Sequence, residues 1–379
     1  MTPTTPDAVA PPAVCQAPVH SPPAPKPPLP LLGRMAATAG LLIAYHWQRH
    51  AIESQLGHLF TSLTGETAKP TTFAIGVVAV LIVVLVLIWR KVLAKDKSFH
   101  APLLITCILI MGDAAFGILE DQPSQWLRQV TNQRISTYSP TFIAMLTTVL
   151  TELILGRFYY GKWPHLASAY VSGISAGILI KSPELWPFIL CGMISITSKY
   201  VLRIGDRHLW NPTNFGMTAM LFLAPQHVAS LSVQAGNELA APVVIWIMGA
   251  LILWKLNRLH IPVAFFVAFI PLSFLRSGIH GNSWLTELTP ISSPMFQLYI
   301  FFMITDPKTT TKSKRSQTIV AVLVAIMETV YRLVFRDIHS LYHALFTVGP
   351  ITNLIEMGYN SRCRRQNPAK ANRPPEKTM

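Results

Sequence analysis

The sequence predicts an all-α, polytopic membrane protein with about 10 to 12 transmembrane helices. Its composition is the first observation behind this prediction, since 51% of the residues are apolar, 13% are charged and the mean hydropathy is +0.41. Water-soluble domains rarely show this balance. Apolar segments recur along the chain, and Lys and Arg residues cluster in alternate loops between them, as in loops on the cytoplasmic side of a membrane.

Twelve apolar segments follow the N-terminal region. A helix needs ~20 residues to span a bilayer core, so most of the segments can span it and a few are short. Charged residues interrupt the first segment, which could instead lie on the membrane surface. The segments lie near 31–49, 72–89, 101–119, 139–157, 166–180, 184–202, 213–225, 240–256, 260–275, 293–305, 317–335 and 341–357.

Internal similarity divides the segments into two inverted repeats with short or Pro-broken helices at matching places. The stretches at 166–183 and 290–307 both open with small and hydroxyl residues and close on Ser-Pro or Asp-Pro. NPTNFG (211–216) similarly matches VGPITN (348–353). Five spans separate equivalent positions, so the partners run in opposite directions.

This division predicts a core of two five-helix halves with additions at both ends. The N-terminal tail is rich in Pro and predicts disorder. The predicted parts are a tail (1–30), two extra N-terminal helices (31–100), the first repeat (101–225), an outer loop (226–239), the second repeat (240–357) and a basic cytoplasmic tail (358–379).

Basic clusters set the expected orientation. RKVLAKDK (90–97), KTTTKSKR (308–315) and RCRR (362–365) would all lie on the side of the two termini, so we expect both termini in the cytoplasm of a bacterial-type inner membrane. The net charge of +14 is explained by these loops, and nucleic-acid binding is not expected. The four Cys residues lack the spacing of a metal or haem site.

The stretch RHLWNPTNFG (207–216) is the main candidate site. Asn211 and Pro212 are typical of a helix start, because Asn caps free N–H groups and Pro fixes φ without losing a needed donor. The following helix is too short to span the bilayer, so its positive end should point into the protein and attract an anion. Arg207 and His208, together with Lys199 and Arg203 upstream, are expected to add positive charge.

Other residues of the candidate site follow from the same geometry. Asn214 and Gly216 would permit the close approach of a ligand, and Thr305 and Asp306 end another short segment. The alternative without a ligand is that Asn211, Pro212 and Gly216 form a packing kink and that the basic residues only keep this part of the chain on the cytoplasmic side.

Carboxylates within apolar runs are candidates for an ion path, since a charge there is costly unless it is paired. Asp113 has no partner nearby in the sequence, and Glu152 has only Arg157. Glu328 lies four residues before Arg332, which predicts an intrahelical pair.

A metal site and a catalytic set are not predicted. His339 and His343 share a helix face, but no third ligand is evident. No Ser-His-Asp set, P-loop or dinucleotide-binding motif is visible, so the sequence assigns no catalytic residue.

A series of motifs resembles a known family. TELILGRF (151–158), SKYVLRIGDRHLWNPTNFGMTAMLFLAP (198–225), FFMITDPKTT (301–310) and VGPITNLIE (348–356) occur in the same order as in RnfD, a membrane protein of Rnf-type electron-transport complexes. They also resemble NqrB of the sodium-pumping NADH:quinone oxidoreductase. The NPxNFG form of the turn resembles a divergent branch associated with enediyne biosynthesis.

The resemblance implies a ten-helix core, other redox subunits as partners and electron transfer through flavin. The family attaches flavin mononucleotide (FMN) to a threonine in an S-x-A-T motif of the outer loop. Here that loop reads QHVASLSVQAGNEL (226–239) and lacks the threonine, so covalent FMN is not expected.

The leading hypothesis is an electron-transport protein in contact with membrane lipid, which binds flavin (FMN or riboflavin) or a quinone noncovalently. If it acts as an enzyme at all, it is the membrane subunit of a redox-driven oxidoreductase complex. The alternatives are a cation or small-solute transporter without a redox cofactor and an assembly scaffold.

Overall fold

In the computed structural model, the described residues form α-helices and three short strand pairs. The described residues are 29–64, 121–161, 163–204, 207–230 and 256–366, with scattered positions in 80–119 and 245–254. The predictions for residues 1–28 of the Pro-rich tail, the loop from 231 onwards and the end of the basic tail lie outside these residues. So does most of what was predicted for 72–89, 101–119 and 240–256.

The helices and strands are numbered in chain order. The α-helices are α1 (Leu29–Thr64), α2 (Gln125–Val130), α3 (Pro140–Tyr160), α4 (Ala167–Leu179), α5 (Trp186–Val201), α6 (Pro212–Leu223), α7 (His260–His280), α8 (Trp284–Leu288), α9 (Pro294–Leu298), α10 (Lys314–Phe335) and α11 (Ser340–Gln366). The strands are β1 (Gln122–Pro123), β2 (Thr137–Tyr138), β3 (Ile180–Lys181), β4 (Arg203–Ile204), β5 (Arg207–His208) and β6 (Ala229–Ser230).

Three of the described helices, α3, α7 and α10, are long and apolar enough to cross a membrane. They correspond to the predicted segments 139–157, 260–275 and 317–335. The chain is therefore a mostly helical, multi-pass membrane protein. The total of 10 to 12 spans and the inverted repeat remain predictions.

The segment predicted at 293–305 is broken, as expected for this part of the chain. A 3-10 turn at Thr289–Ser292 precedes α9, and a π-helical turn at Tyr299–Met303 follows it. Such π turns occur mostly as single-turn irregularities and are frequent at functional sites. This irregular segment leads directly into Asp306.

The expected break at VGPITN is absent, because α11 continues through Pro350. A proline inside a helix leaves the carbonyl four residues earlier without its usual donor. That carbonyl belongs to Phe346, and the indole Nε1–H of Trp210 donates to it at 2.9 Å. A partner from outside the helix thus replaces the lost bond and ties α11 to the residues before α6.

The helices pack in chain order into two neighbouring groups. In the first group α3 packs against α4 and α5, and α5 packs against α6; in the second group α7 packs against α10, and α10 against α11. Contact between α6 and α11 joins the two groups. The β4–β5 pair, with Arg203 opposite His208, turns the chain between α5 and α6.

A buried ion network joins α7 to α10. Arg276 is 0% exposed and donates to Glu287 Oε2 and Glu328 Oε2, both at 3.1 Å. Glu328 also pairs with Arg332, which confirms the predicted intrahelical pair. The Arg276 guanidinium lies 4.6 Å from the centre of the Phe269 ring. Burying these charges is tolerated because each one has an opposite charge within hydrogen-bond distance.

We expect Glu328→Gln to destabilise the protein strongly, because it removes the carboxylate that faces the fully buried Arg276. Breaking one side of a buried ion pair costs about 3–5 kcal/mol. Thermal unfolding of the detergent-purified protein measures the effect, with Thr318→Ala on the exposed face of the same helix as the control. Equal unfolding temperatures for the two variants would contradict the assigned role of the network.

Candidate functional site

Helix α6 begins at the Asn-Pro pair, as the sequence predicts. The Asn211 side chain accepts the backbone N–H of Asn214 at 3.1 Å, and Pro212 occupies the first turn. The backbone oxygen of Asn211 accepts the N–H of Phe215 at 2.9 Å. With 12 residues, α6 rises only about 18 Å, which is too short for a bilayer core of ~30 Å.

The segment around Asp306 meets this helix start. The amide Nδ2 of Asn211 donates to Asp306 Oδ2 at 3.3 Å. The same carboxylate accepts the hydroxyl of Thr309 at 3.1 Å and the backbone N–H of Lys308 at 3.0 Å. The structure therefore brings together the two segments that the sequence singled out, although they lie 95 residues apart.

Arg207 connects the region before α6 both to the segment around Asp306 and to α11. Its Nη1 lies 2.5 Å from Glu356 Oε2, and its Nη2 donates to the backbone oxygen of Thr310. Glu356 also accepts the backbone N–H of Lys312 at 2.8 Å. Both charged side chains are mostly buried, at 17% and 12% exposure. Sequence reasoning missed Glu356, although it ends the quoted VGPITNLIE motif.

Two asparagine amides add further bonds between these parts. Asn214 Nδ2 donates to the backbone oxygen of Tyr342 at 3.2 Å. Asn353 Nδ2 donates to the backbone oxygens of Thr309 at 2.6 Å and Leu209 at 3.3 Å. Residues 207–214, 304–310 and 342–356 together are called the junction below. Side-chain hydrogen bonds connect each of these three segments to the other two.

Thr305 lies in the junction and is 3% exposed. Its hydroxyl donates back to the carbonyl of Phe301 within its own helical turn. The backbone oxygen of Thr305 accepts Arg258 Nη1 at 3.2 Å, so a further cation lies beside Asp306.

His208 contributes no charge to the helix end, contrary to the prediction. Burial, together with the nearby charges of Lys308, Lys199 and Arg203, lowers its pKa to about 4, so the ring is neutral at pH 7. Lys199 is also less available than expected, because it pairs with Glu152 at 2.5 Å. Desolvation and like charges thus prevail over the intrinsic basicity of the imidazole.

Several buried polar atoms of the junction have no hydrogen-bond partner among the described residues, among them His208 Nδ1, Asn214 Oδ1 and Asn353 Oδ1. The side chains that carry them are 8%, 1% and 2% exposed. A buried polar atom without a partner costs about 1–3 kcal/mol. The junction therefore retains unused hydrogen-bonding capacity next to its charged groups.

Gly216 lies in close contact with the neighbouring helix α5. A Cβ at this position would lie 2.0 Å from Ser195 Oγ and 2.8 Å from the backbone oxygen of Cys191, both in α5. Contact between α5 and α6 is sufficient to require glycine here. The predicted close approach of a ligand to Gly216 stays a prediction.

Asp113 has a local partner, which corrects the prediction that it lacks one. The backbone N–H of Leu119 donates to Asp113 Oδ1 at 2.6 Å. The two residues are six positions apart, a spacing that belongs to a turn after a helix and not to an ideal helical pair, so the sequence pattern did not reveal it.

Glu152 is 3% exposed and is held by two groups of α5. Lys199 Nζ lies 2.5 Å from Oε2, and the Tyr200 hydroxyl donates to Oε1 at 3.0 Å. Arg157, the partner considered from the sequence, instead donates to the carbonyl of Gly161 at the end of α3. Glu152 therefore links α3 to α5 through a buried acid–base pair.

The pair His339 and His343 is engaged in hydrogen bonds. His339 Nδ1 lies 2.6 Å from Ser230 Oγ, and His343 Nδ1 bonds to Asp337. The two ring centres are 6.4 Å apart. Two imidazoles on one tetrahedral zinc ion lie about 5 Å apart, given Zn–N bonds of ~2.0 Å. The described residues contain no group of three or more His, Cys, Asp or Glu side chains that could hold a metal.

A comparison with protein-family models gives a match. Residues 230–362 match the family model described as NQR2, RnfD, RnfE. The matched region runs from the end of β6 into α11 and includes Thr305, Asp306 and Glu356, whereas Arg207 and Asn211 precede it. No curated protein matches the chain.

We expect Gly216→Ala to disrupt the packing of α6 on α5, because the added methyl overlaps Ser195 and the Cys191 carbonyl. Overpacking of this kind costs about 1–3 kcal/mol. Size-exclusion yield and thermal unfolding measure the loss. Gly278→Ala is the matched control, since a Cβ there meets no atom within 4 Å. Equal behaviour of the two variants would contradict the tight α5–α6 contact.

Proposed function

We propose, from the match of residues 230–362 to the NQR2, RnfD, RnfE family model, that this chain belongs to that family and is an electron-transport protein that binds flavin or a quinone noncovalently at the junction. Membership supports the coarser statement that the chain is a membrane subunit of an electron-transport or ion-pumping complex. Other redox subunits would supply and receive the electrons. The chain itself would be at most the membrane part of an oxidoreductase.

The contact between Asn211 and Asp306, with the unpartnered Asn214 Oδ1 three residues along, is the observation that carries the proposal. A half-length helix starts there inside the protein and is surrounded by groups that both donate and accept. A flavin ring presents N–H and C=O groups along one edge, so an asparagine amide suits it. Arg207 and Asp306 would shape the site by fixing the surrounding segments.

Flavin, when bound, supplies the one- and two-electron chemistry that amino-acid side chains lack. The chain would bind and orient the ring through Asn214, Asn211 and His208. Thr305 and Gly216 would keep the adjoining turns closely packed. Covalent attachment is not proposed, because QHVASLSVQAGNEL has no threonine.

The basic residues near the junction support its placement on the cytoplasmic side. Lys308, Lys312, Lys314 and Arg315 follow Asp306 directly and are exposed. Such clusters are retained on the cytoplasmic side of bacterial inner membranes. Both termini would lie on this side as well.

Transport of a cation or small solute is the second candidate, and the buried pair Glu152–Lys199 favours it. A buried acid–base pair between two membrane helices changes charge when either partner gains or loses a proton. The pair lies outside the region that matches the family. Asp113 would be a further member of such a path.

The test is the absorption and fluorescence of the detergent-purified protein, repeated on the supernatant and pellet after acid precipitation. We expect flavin in the supernatant. Asn214→Ala should weaken flavin binding about tenfold, since a lost hydrogen bond of roughly 1.4 kcal/mol changes affinity by that factor. The exposed Asn282→Ala is the matched control.

Each other outcome has a definite meaning. Flavin in the pellet would show covalent attachment, against the missing threonine. Flavin in neither fraction, with no binding on titration, would overturn the redox proposal and favour transport.

A further inference from the structure

The start of helix α10 carries three exposed cations without opposite charges. Lys312, Lys314 and Arg315 are exposed, and the first turn of the helix contains no acidic residue. Glu356, which pairs with Arg207, meets only the backbone N–H of Lys312, at 2.8 Å. None of the three cationic side chains forms an ion pair with a carboxylate in the described part of the chain. The N-terminal end of a helix itself carries partial positive charge, so the positive charge here remains uncompensated.

Arg315 lies on an exposed, otherwise apolar face of α10. The exposed residues Ile319, Leu323 and Ile326 follow Arg315 at spacings of four, four and three positions, so all four share one face of the helix. This helix is one of those long and apolar enough to cross a membrane. Its outward face therefore begins with a guanidinium and continues as hydrocarbon, which is the order of phosphate and acyl chain in a phospholipid.

The turn before α7 extends this surface to one side. Lys314 Nζ donates to Asn257 Oδ1 at 3.2 Å, and the backbone N–H of Asn257 donates to the carbonyl of Trp254 at 3.0 Å. Trp254 is 72% exposed. Tryptophan is enriched where the hydrocarbon of a bilayer meets the headgroups, because the indole is apolar apart from its N–H donor. The bond between Lys314 and Asn257 thus joins an interfacial indole to the cations.

A buried hydroxyl beside the same helix start has no partner. Gln317 Nε2 donates to the carbonyl of Thr311 at 2.8 Å and holds Thr311 beside the first turn of α10. Thr311 is 2% exposed, and its Oγ1 has no hydrogen-bond partner among the described residues. This unused hydrogen-bonding capacity next to the cations is an independent sign that a ligand with acceptor oxygens binds here.

We propose that the surface formed by Trp254, Lys314, Arg315, Ile319 and Leu323 is a specific site for one anionic phospholipid, and we call it the lipid site. Arginine matches phosphate oxygens with two parallel N–H donors, and the lysine ammonium adds a compact charge. An acyl chain lies along the apolar stripe of α10, in the leaflet on the side of the junction. The lipid site does not depend on the carrier proposed at the junction.

The headgroup charge distinguishes an anionic phospholipid from other lipids. A zwitterionic headgroup brings an ammonium of its own and would leave the cations uncompensated, whereas an anionic headgroup neutralises part of their charge. A role in membrane orientation alone requires Lys and Arg in the loop, but it requires none on the apolar face of the helix. The position of Arg315 above Ile319 therefore favours a bound lipid.

Native mass spectrometry of the full-length protein tests the lipid site. The protein is released from nanodiscs that contain equal amounts of phosphatidylglycerol and phosphatidylcholine with identical acyl chains. We expect one phosphatidylglycerol to be retained in preference to phosphatidylcholine. The double variant Lys314→Gln with Arg315→Gln should reduce this preference at least about tenfold, because each cation near a membrane surface contributes to the attraction of anionic lipid.

The matched control removes two exposed cations elsewhere. Lys181→Gln with Arg336→Gln changes the net charge equally, at positions that follow α4 and α10, and it should leave the preference unchanged. Arg315→Gln alone repeats the test without disturbing the bond between Lys314 and Asn257, since Arg315 forms no hydrogen bond in the described part of the chain. Ile319→Ser should weaken the retention of phosphatidylglycerol by removing part of the apolar stripe.

Three results would overturn the proposal. Equal retention of the two lipids would show that the surface does not select headgroup charge. Displacement of the lipid by sn-glycerol 3-phosphate, which carries the phosphate without acyl chains, would assign the cations to a soluble phosphate. An unchanged preference in the double variant, together with loss of co-purifying subunits, would assign the surface to an acidic protein partner.

Discussion

The contacts of Arg207 with Glu356 and of Asn211 with Asp306 are the interactions on which the rest of the described structure depends. A helix of 12 residues cannot cross a bilayer core, so the backbone groups and charges at its start must be satisfied inside the protein. The junction meets this requirement with side chains from two distant parts of the chain. Without it, a buried arginine and a buried carboxylate would each remain in a poorly hydrated environment.

The same requirement explains why α11 is continuous. Pro350 leaves the carbonyl of Phe346 without a donor from its own helix, and the indole N–H of Trp210, just before α6, donates to that carbonyl. A sequence feature that ordinarily ends a helix thus becomes an attachment point between helices. The aromatic rings of Trp210, Phe215 and Phe346 pack together at this point, with centres 5.4 to 5.7 Å apart.

Local chemistry was predictable, and long-range pairing was not. The start of α6, the Glu328–Arg332 pair and the broken segment before Asp306 all follow from neighbours within a few residues. Arg276, Glu356 and Asn353 escaped notice because their bonds to Glu328, Arg207 and Thr309 join residues 44 to 149 positions apart. His208 and Asp113 were misjudged for a related reason, since burial and a turn N–H depend on how the chain folds back on itself.

The family match covers the second part of the junction and not the first. Asp306 and Glu356 lie within it, and their partners Asn211 and Arg207 lie before it. The structure therefore connects the region that matches the family model to the NPTNFG turn that carries the sequence resemblance. The electron carrier that we propose would contact both parts of the junction.

A charge-swap cycle tests the junction most directly, by thermal unfolding of Arg207→Glu, Glu356→Arg and the double variant. Each single change replaces the Arg207–Glu356 pair, whose charged atoms lie 2.5 Å apart, by two like charges in a mostly buried site, whereas the double change restores an opposite pair. Both single variants should unfold at a much lower temperature than the unchanged protein, and the double variant should recover most of the loss. Additive losses in the double variant would show that Arg207 and Glu356 do not stabilise the junction as a pair.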